Sequence, residues 1–176
     1  MTNHKPNLIS RPVPHIDSRG TFLRILDTSE SLIDVTQVNA SISFGKGTIR
    51  GMHFLLGKHS ENKIVSVLHG VIQDIIVCVD TNSNYYGEVW SFALQPGVES
   101  LFIPKGYAHG FQVHSDFAVV TYNVDKKYVA EADAGISPYS PLLRDRWELP
   151  IGTISEKDKS LPLFPAKNSF EQCPCC

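Results

Sequence analysis

KIVSVLHGVIQDIIVCVD, residues 63–80, is dense in Val and Ile and broken only at His69-Gly70. That composition favours the pleated backbone of a strand, and the break predicts a turn between two strands. Outward from it, VTQVNASISF (35–44), GEVWSFALQ (87–95), SLFIPKG (100–106) and GFQVHSDFAVVTYNV (110–124) have the same character. Several alternate apolar with polar residues, the period of a half-buried strand. Turn formers separate them at intervals of roughly 8–12 residues, as in sandwiches and barrels: DTNSN (80–84), QPG (95–97) and PKGYAHG (104–110). No stretch before residue 140 carries a helical apolar stripe. The Pro-rich segment 141–165 predicts turns with one or two helical turns. One all-β, antiparallel domain over 1–176 is expected, its last residues (166–176) forming a flexible tail.

Composition narrows the function. The 176 residues carry 16 Lys and Arg against 18 Asp and Glu, a formal charge of -2. Such a balance offers no field to recruit a polyanion, so nucleic-acid binding is not expected. Hydrophobic residues make up 42%, enough for a core rather than disorder. No apolar run approaches the roughly 18 residues that span a bilayer. MTNHKPNLIS lacks the apolar centre of a signal peptide, so a cytoplasmic location is expected. Cys78, inside IIVCV, reads as a small buried hydrophobe. Cys173, Cys175 and Cys176 crowd a CPCC terminus without the further ligand of a zinc knuckle.

Two segments concentrate chemistry. GTIRGMH (47–53) puts Arg50 close to His53. Residues three apart on a strand face opposite sides, so these two share a face only if the chain bulges near Gly51. PKGYAHGF (104–111) delivers His109 from a Pro-Gly turn into a strand. The pair resembles the two halves of the cupin pattern. A metal cupin places a second His two positions after the first, where this chain has Leu55, which has no lone pair to donate. His59 and Glu61 would compensate only through an unusual loop, so no metal is expected. A neutral imidazole is instead suited to take a proton near neutral pH.

DSRGTF (17–22), QVNASIS (37–43), IRGMH (49–53), KIVSVLHG (63–70), IPKGYAHGF (103–111), Tyr122, Tyr128, and SEKD (155–158) followed by LPLF occur in one order. Over about residues 9–164 the chain resembles the dTDP-4-dehydrorhamnose 3,5-epimerases and related deoxysugar epimerases. The resemblance implies an antiparallel double-stranded β-helix, the cupin jelly roll, with short C-terminal helical turns. It implies a cofactor-independent isomerase that inverts C3, C5 or both of a nucleotide-diphospho-4-keto-6-deoxyhexose in deoxysugar biosynthesis, for a surface polysaccharide such as lipopolysaccharide or a natural product.

Carried over, His53 is the base, Asp158 its partner, Lys63 the stabiliser of the enolate and Tyr122 the acid on the opposite face. His109 lines the pocket, with Tyr128 a further substrate contact. Arg19 and Arg50 hold the diphosphate, Gln37 and Asn39 contact the nucleotide, and Phe22 packs on the base. The resemblance further implies a homodimer in which an N-terminal strand crosses to the partner. Three departures stand out: Arg24 replaces an acid associated with the nucleotide base, Leu55 a pocket-wall Gln, and Pro138 a Trp near the mouth. Because a guanidinium donates and cannot accept, Arg24 points towards CDP, leaving dTDP- and CDP-linked sugars both open, with a CDP-3,6-dideoxyhexulose C5-epimerase among the readings. A cupin ketoisomerase, a metal-dependent oxygenase and a non-catalytic sugar-nucleotide binding module are the competing classes.

Overall fold

The computed structural model describes residues 4–29, 31–97 and 99–165; the tail expected over 166–176, with its CPCC, lies outside them. Its strands are β1 (Asn7–Ser10), β2 (His15–Asp17), β3 (Gly20–Phe22), β4 (Gln37–Phe44), β5 (Ile49–Leu55), β6 (Lys63–His69), β7 (Ile72–Cys78), β8 (Val89–Leu94), β9 (Glu99–Ile103), β10 (Tyr107–Val113), β11 (Phe117–Val124) and β12 (Asp133–Gly135). One helical turn, α1 (Glu156–Lys159), follows. Two five-stranded sheets form, β1-β9-β6-β11-β4 and β12-β5-β10-β7-β8, and β2-β3 make a separate hairpin. Every pairing is antiparallel.

From β4 to β7 the chain changes sheet at each step, and again from β9 to β12. That winding is the jelly roll expected from the sequence. His69-Gly70 therefore carries the chain from one sheet to the other. Side chains from both sheets meet between them: Val65, Val67, Leu101, Ile103 and Val120 from the first, Ile72, Ile76, Cys78, Phe111 and Val113 from the second. Cys78 is fully buried there. The outer face of the second sheet is covered as well, where Met52, Ile75, Val77 and Ala108 pack under Ile136 and Leu143. With both faces covered, β7 is buried at every position, which is why IIVCV reads as a run rather than an alternation.

The N-terminal strand expected to exchange is described here within one chain. β1 pairs with β9 of its own chain, Leu8 opposite Leu101. The N-terminal piece that projects is the β2-β3 hairpin, exposed at every position but Asp17. β4 closes the other edge of the first sheet and leaves Val38, Ile42 and Phe44 exposed. Among the described residues no helix is long and apolar enough to cross a membrane.

The bulge required near Gly51 is present. His109 pairs with His53 and Phe111 with Arg50, so three steps along β5 match two along β10. The extra residue turns Arg50 and His53 to the same side. Gly51 has φ +121°, and a Cβ on it would lie 2.5 Å from Gly110 Cα and 2.8 Å from the His109 carbonyl oxygen. Only glycine tolerates that backbone at such an approach. Gly51→Ala is expected to destabilise the fold by about 3 kcal/mol or more in urea melts, from combined strain and overpacking.

Candidate active site

Between the open ends of the two sheets lies a cavity of about 790 Å³. Seven of the expected residues line it: Asn39, Arg50, His53, Lys63, His109, Tyr122 and Asp158. The two walls differ in chemistry. The second sheet brings two imidazoles, His53 on β5 and His109 on β10; the first brings the Tyr122 phenol on β11 and the Lys63 ammonium at the start of β6.

His53 Nε2 lies 2.8 Å from Asp158 Oδ1. Asp158 reaches it from α1, capped by Ser155, whose Oγ accepts from the Asp158 N–H at 3.0 Å. The other carboxylate oxygen accepts the Gly51 N–H at 3.1 Å. Asp158 is 4% exposed. Burial pushes its carboxyl up, but the bonds from His53, Gly51 and Ser155 outweigh that and hold it below the ordinary value. It therefore stays a carboxylate, fixing the His53 tautomer and stabilising an imidazolium.

The segment that carries Asp158 is held by two glutamines that face each other across β7 and β10. Gln73 donates to the Arg146 carbonyl at 2.7 Å and accepts the Glu148 N–H at 3.0 Å. Gln112 donates to the Leu149 carbonyl and accepts the Leu149 N–H, both at 2.9 Å. Both are nearly fully buried, so they satisfy backbone groups that would otherwise be orphaned. Ile49 then donates to the Thr153 carbonyl at 2.9 Å, and the chain arrives beneath β5 two residues before the Ser155 cap.

His109 is 6% exposed, with Nδ1 at 3.3 and 3.4 Å from the oxygens of Asp74, itself fully buried. Burial and the Lys63 charge push this imidazole below its ordinary value, outweighing Asp74. Tyr122 Oη lies 2.9 Å from Ser41 Oγ, and its ring stands edge-on to His109 at 6.1 Å. Burial raises the phenol far above its usual range, so it holds its proton at neutral pH. Lys63 Nζ pairs with Glu61 Oε1 at 3.0 Å, and both side chains are largely buried. Arg50 Nε donates to Ser43 Oγ at 2.7 Å, which aims the guanidinium along the cavity wall.

The remaining expected residues lie off the cavity wall. Gln37 is adjacent, donating to Asn39 Oδ1 at 2.8 Å and accepting the Tyr128 N–H at 3.1 Å. Tyr128 donates its hydroxyl to Asp133 at 3.0 Å, and Asp133 also binds Lys157, which does line the cavity. Arg19 is locked on Asp17, and Phe22 is 68% exposed on the hairpin. Arg24 faces Asp27 at 3.7 Å over a separate cavity. Two expectations are corrected. Leu55 is buried and does not line the cavity, because it packs inward beyond the bulge. Pro138 is not at the mouth: it is buried, its carbonyl accepting the Trp147 indole N–H at 3.0 Å.

Asp74 and Glu61 complete the titratable set. Asp74 is visible in the sequence as a lone acid inside VIQDIIVCV, a position that demands a partner. The sequence offers Glu61 only as a metal ligand, whereas the structure pairs it with Lys63. Among the described residues no three His, Cys, Asp or Glu side chains converge to hold a metal ion. An imidazole on one wall, with a neutral phenol and an ammonium on the other, suits proton removal and return at a carbon beside a carbonyl.

A family model described as dTDP-4-dehydrorhamnose 3,5-epimerase matches residues 2–166. The dTDP-4-dehydrorhamnose 3,5-epimerase of Sinorhizobium fredii is 34% identical over 159 residues, covering 86% of this chain and 82% of that protein. A dTDP-4-dehydrorhamnose 3-epimerase of Streptomyces niveus is 27% identical over 161 residues, 87% of this chain and 77% of the relative. The crystal structure of the Bacillus anthracis dTDP-4-dehydrorhamnose 3,5-epimerase with TDP and PPi bound superposes with a TM-score of 0.82 at 30% identity, covering 90% of this chain and 94% of that one.

The depressed His109 has a consequence for stability. Above its ordinary value near 6.5 the neutral form is present in both states. As pH falls from there towards the lower folded value, the unfolded chain binds the extra proton first, so stability declines with acidification. Urea melts from pH 7 to about pH 5 should show this decline, and His109→Gln should flatten it. The contribution of Asp158 is separate: it is present above the ordinary carboxylate value and lost as pH falls through its lower folded one.

Proposed function

Because the chain belongs to the dTDP-4-dehydrorhamnose 3,5-epimerase family, we propose that it inverts carbons flanking the C4 ketone of a dTDP-linked 4-keto-6-deoxyhexose, with His53 as base and Tyr122 as acid. It is an epimerase of deoxysugar biosynthesis, an isomerase acting on a nucleotide sugar. The observation that carries the residue roles is the placement of the His53–Asp158 pair and the protonated Tyr122 on opposite walls of one cavity, with Lys63 on Tyr122's sheet.

With Nε2–H donated to Asp158, the His53 Nδ1 lone pair removes the proton next to the ketone. The C–H electrons move onto the C4 oxygen, and the Lys63 ammonium stabilises the enolate. Tyr122 then gives its proton to the other face of the same carbon, inverting it. Proton exchange with solvent resets both groups. After the ring turns over, the same pair serves the second carbon, so C3 and C5 inversion need no second set. A general acid or base is worth roughly 10²–10⁴-fold each, and an enolate donor perhaps 10²–10³ more. Arg50 suits one end of the diphosphate, its fork matching phosphate oxygens.

The nucleotide follows from the relatives, which are named for dTDP sugars, and from TDP in the B. anthracis structure. Arg24, which points towards CDP, faces Asp27 over a different cavity of its own chain, so the dTDP reading rests on the relatives. Arg19 and Phe22 lie outside the pocket of their own chain, so a complete nucleotide site needs them from a second copy. The exposed row Val38, Ile42 and Phe44 on edge strand β4, flanked by Phe117, supplies a face for such a homodimer and removes an open sheet edge. Within it the β2-β3 hairpin, rather than β1, crosses to the partner. An enzyme for charged, membrane-impermeant nucleotide sugars works in the cytoplasm.

Incubation in D₂O with dTDP- and CDP-4-keto-6-deoxyglucose, followed by NMR, tests the chemistry: deuterium should enter C3, C5 or both of the dTDP sugar. His53→Ala should cut exchange by about 10²–10⁴-fold, whereas Tyr122→Phe should impair inversion yet leave washout of the substrate proton. A ketone carbon that shifts position would make the enzyme a ketoisomerase instead, and full epimerisation by His53→Ala would remove that residue from its role. For assembly, Ile42→Glu with Phe44→Glu should convert a dimer to a monomer in analytical ultracentrifugation and depress turnover.

A further inference from the structure

Glu61 lines the catalytic cavity yet takes no part in the proton transfers described above. Of the two carboxylates on the cavity wall, Asp158 has both oxygens engaged, one with His53 and one with the Gly51 N–H. Glu61 is engaged on one side only: Oε1 lies 3.0 Å from Lys63 Nζ, and among the described residues no donor meets Oε2. Its side chain is 12% exposed, and it borders the cavity. A carboxylate so far withdrawn from water calls for further donors to replace its lost hydration.

The backbone on both sides of Glu61 is pinned. Ser60 Oγ accepts the Gly106 N–H at 3.2 Å. The Asn62 N–H and side-chain amide donate to Asp125 at 2.9 and 2.7 Å, and its amide oxygen accepts the Lys105 N–H at 2.9 Å. The carboxylate is therefore presented from a fixed place, as a recognition group must be. In the first sheet Lys63 pairs with Val124, whereas Ser43, which holds Arg50, pairs with Ala118 six residues away along β11. Glu61 thus lies at the end of the cavity away from the guanidinium that suits the diphosphate, and its charge faces the sugar.

The ion pair matches one feature of the substrate class. With Lys63 at the C4 oxygen, the Glu61 carboxylate lies one hydrogen-bond length to its side. Neighbouring oxygens on a sugar ring have about that spacing. On the C3 side the neighbour is a hydroxyl, which donates as a carboxylate requires; on the C5 side it is the ring oxygen, which has no proton to give. We propose that Glu61 orients the substrate by accepting the C3 hydroxyl while Lys63 holds the C4 oxygen, so that the pair selects 3-hydroxy over 3-deoxy 4-ketosugars. This assignment rests on the epimerase reading above.

The test follows deuterium entry from D₂O by NMR for dTDP-4-keto-6-deoxyglucose and its 3-deoxy analogue, and compares kcat/KM between wild type and Glu61→Gln. A hydrogen bond to a charged group is worth roughly 10- to 100-fold, so the wild type should prefer the 3-hydroxy sugar by about that factor. Glu61→Gln should shrink the preference by about fivefold or more. Any loss passed on through Lys63 falls on both sugars and cancels in that ratio. An equal loss on both sugars would make Glu61 a support for Lys63 alone and overturn the proposal, as would a wild-type preference under about threefold. Glu61→Asp, which keeps the charge but draws it back by one methylene, should also shrink the preference, and it decides the matter should Glu61→Gln fail to fold. Equal exchange into both sugars by the wild type overturns this assignment and leaves the epimerase reading standing, whereas no exchange into either overturns both.

Discussion

The close approach of Gly51 to Gly110 is the constraint on which the active site depends. With no side chain on either residue, β5 and β10 come near enough for β5 to carry one residue more than its partner. Three results follow from that single irregularity. Arg50 and His53 reach the same side of the strand, the Gly51 N–H is released from the ladder, and Asp158 takes it up with one oxygen while holding His53 with the other. A regular strand would have sent Arg50 and His53 to opposite faces. The bulge is thus a functional part, obtained by giving up ladder hydrogen bonds that a carboxylate then replaces.

Two imidazole–carboxylate pairs stand on the same wall, and their surroundings separate their behaviour. His53 is about a third exposed, with a close, well-aligned carboxylate whose other oxygen is held by backbone. His109 is buried, with a looser contact to Asp74 and with Lys63 close enough to disfavour its charge. The second environment resists a proton, because burial and the Lys63 charge both disfavour the imidazolium. Across the cavity, Tyr122 keeps its proton because burial penalises the phenolate.

The alternating strands were legible because the period of two survives wherever one face is covered, and β7 was legible because both faces are. The bulge at Gly51 was legible as a geometric need: Arg50 and His53 could cooperate in no other way. Asp158 was not. In SEKD it reads as an ordinary helix start, and its backbone does begin α1; only the family pattern singled it out. Its placement depends on Gln73 and Gln112, whose contacts reach Arg146, Glu148 and Leu149 through irregular chain that has no period to read. Leu55 and Pro138 misled for a related reason. Position in a motif says which residue replaces which, but a shift of one residue at a bulge or one turn in a loop decides whether it faces substrate or core.

The residues that line the cavity from the two main sheets and those on the N-terminal hairpin are supported differently. His53, His109, Tyr122 and Lys63 all lie on strands of the two main sheets, where moving one means repacking the core on which it rests. Arg19 and Phe22 lie on an exposed hairpin that makes up a sheet of its own. A substitution there leaves core packing intact and alters only what the hairpin meets. Surface changes of this kind typically cost well under 1 kcal/mol, whereas core changes cost several. A change at the cavity wall is thereby coupled to the packing of the two sheets, and a change on the hairpin is not.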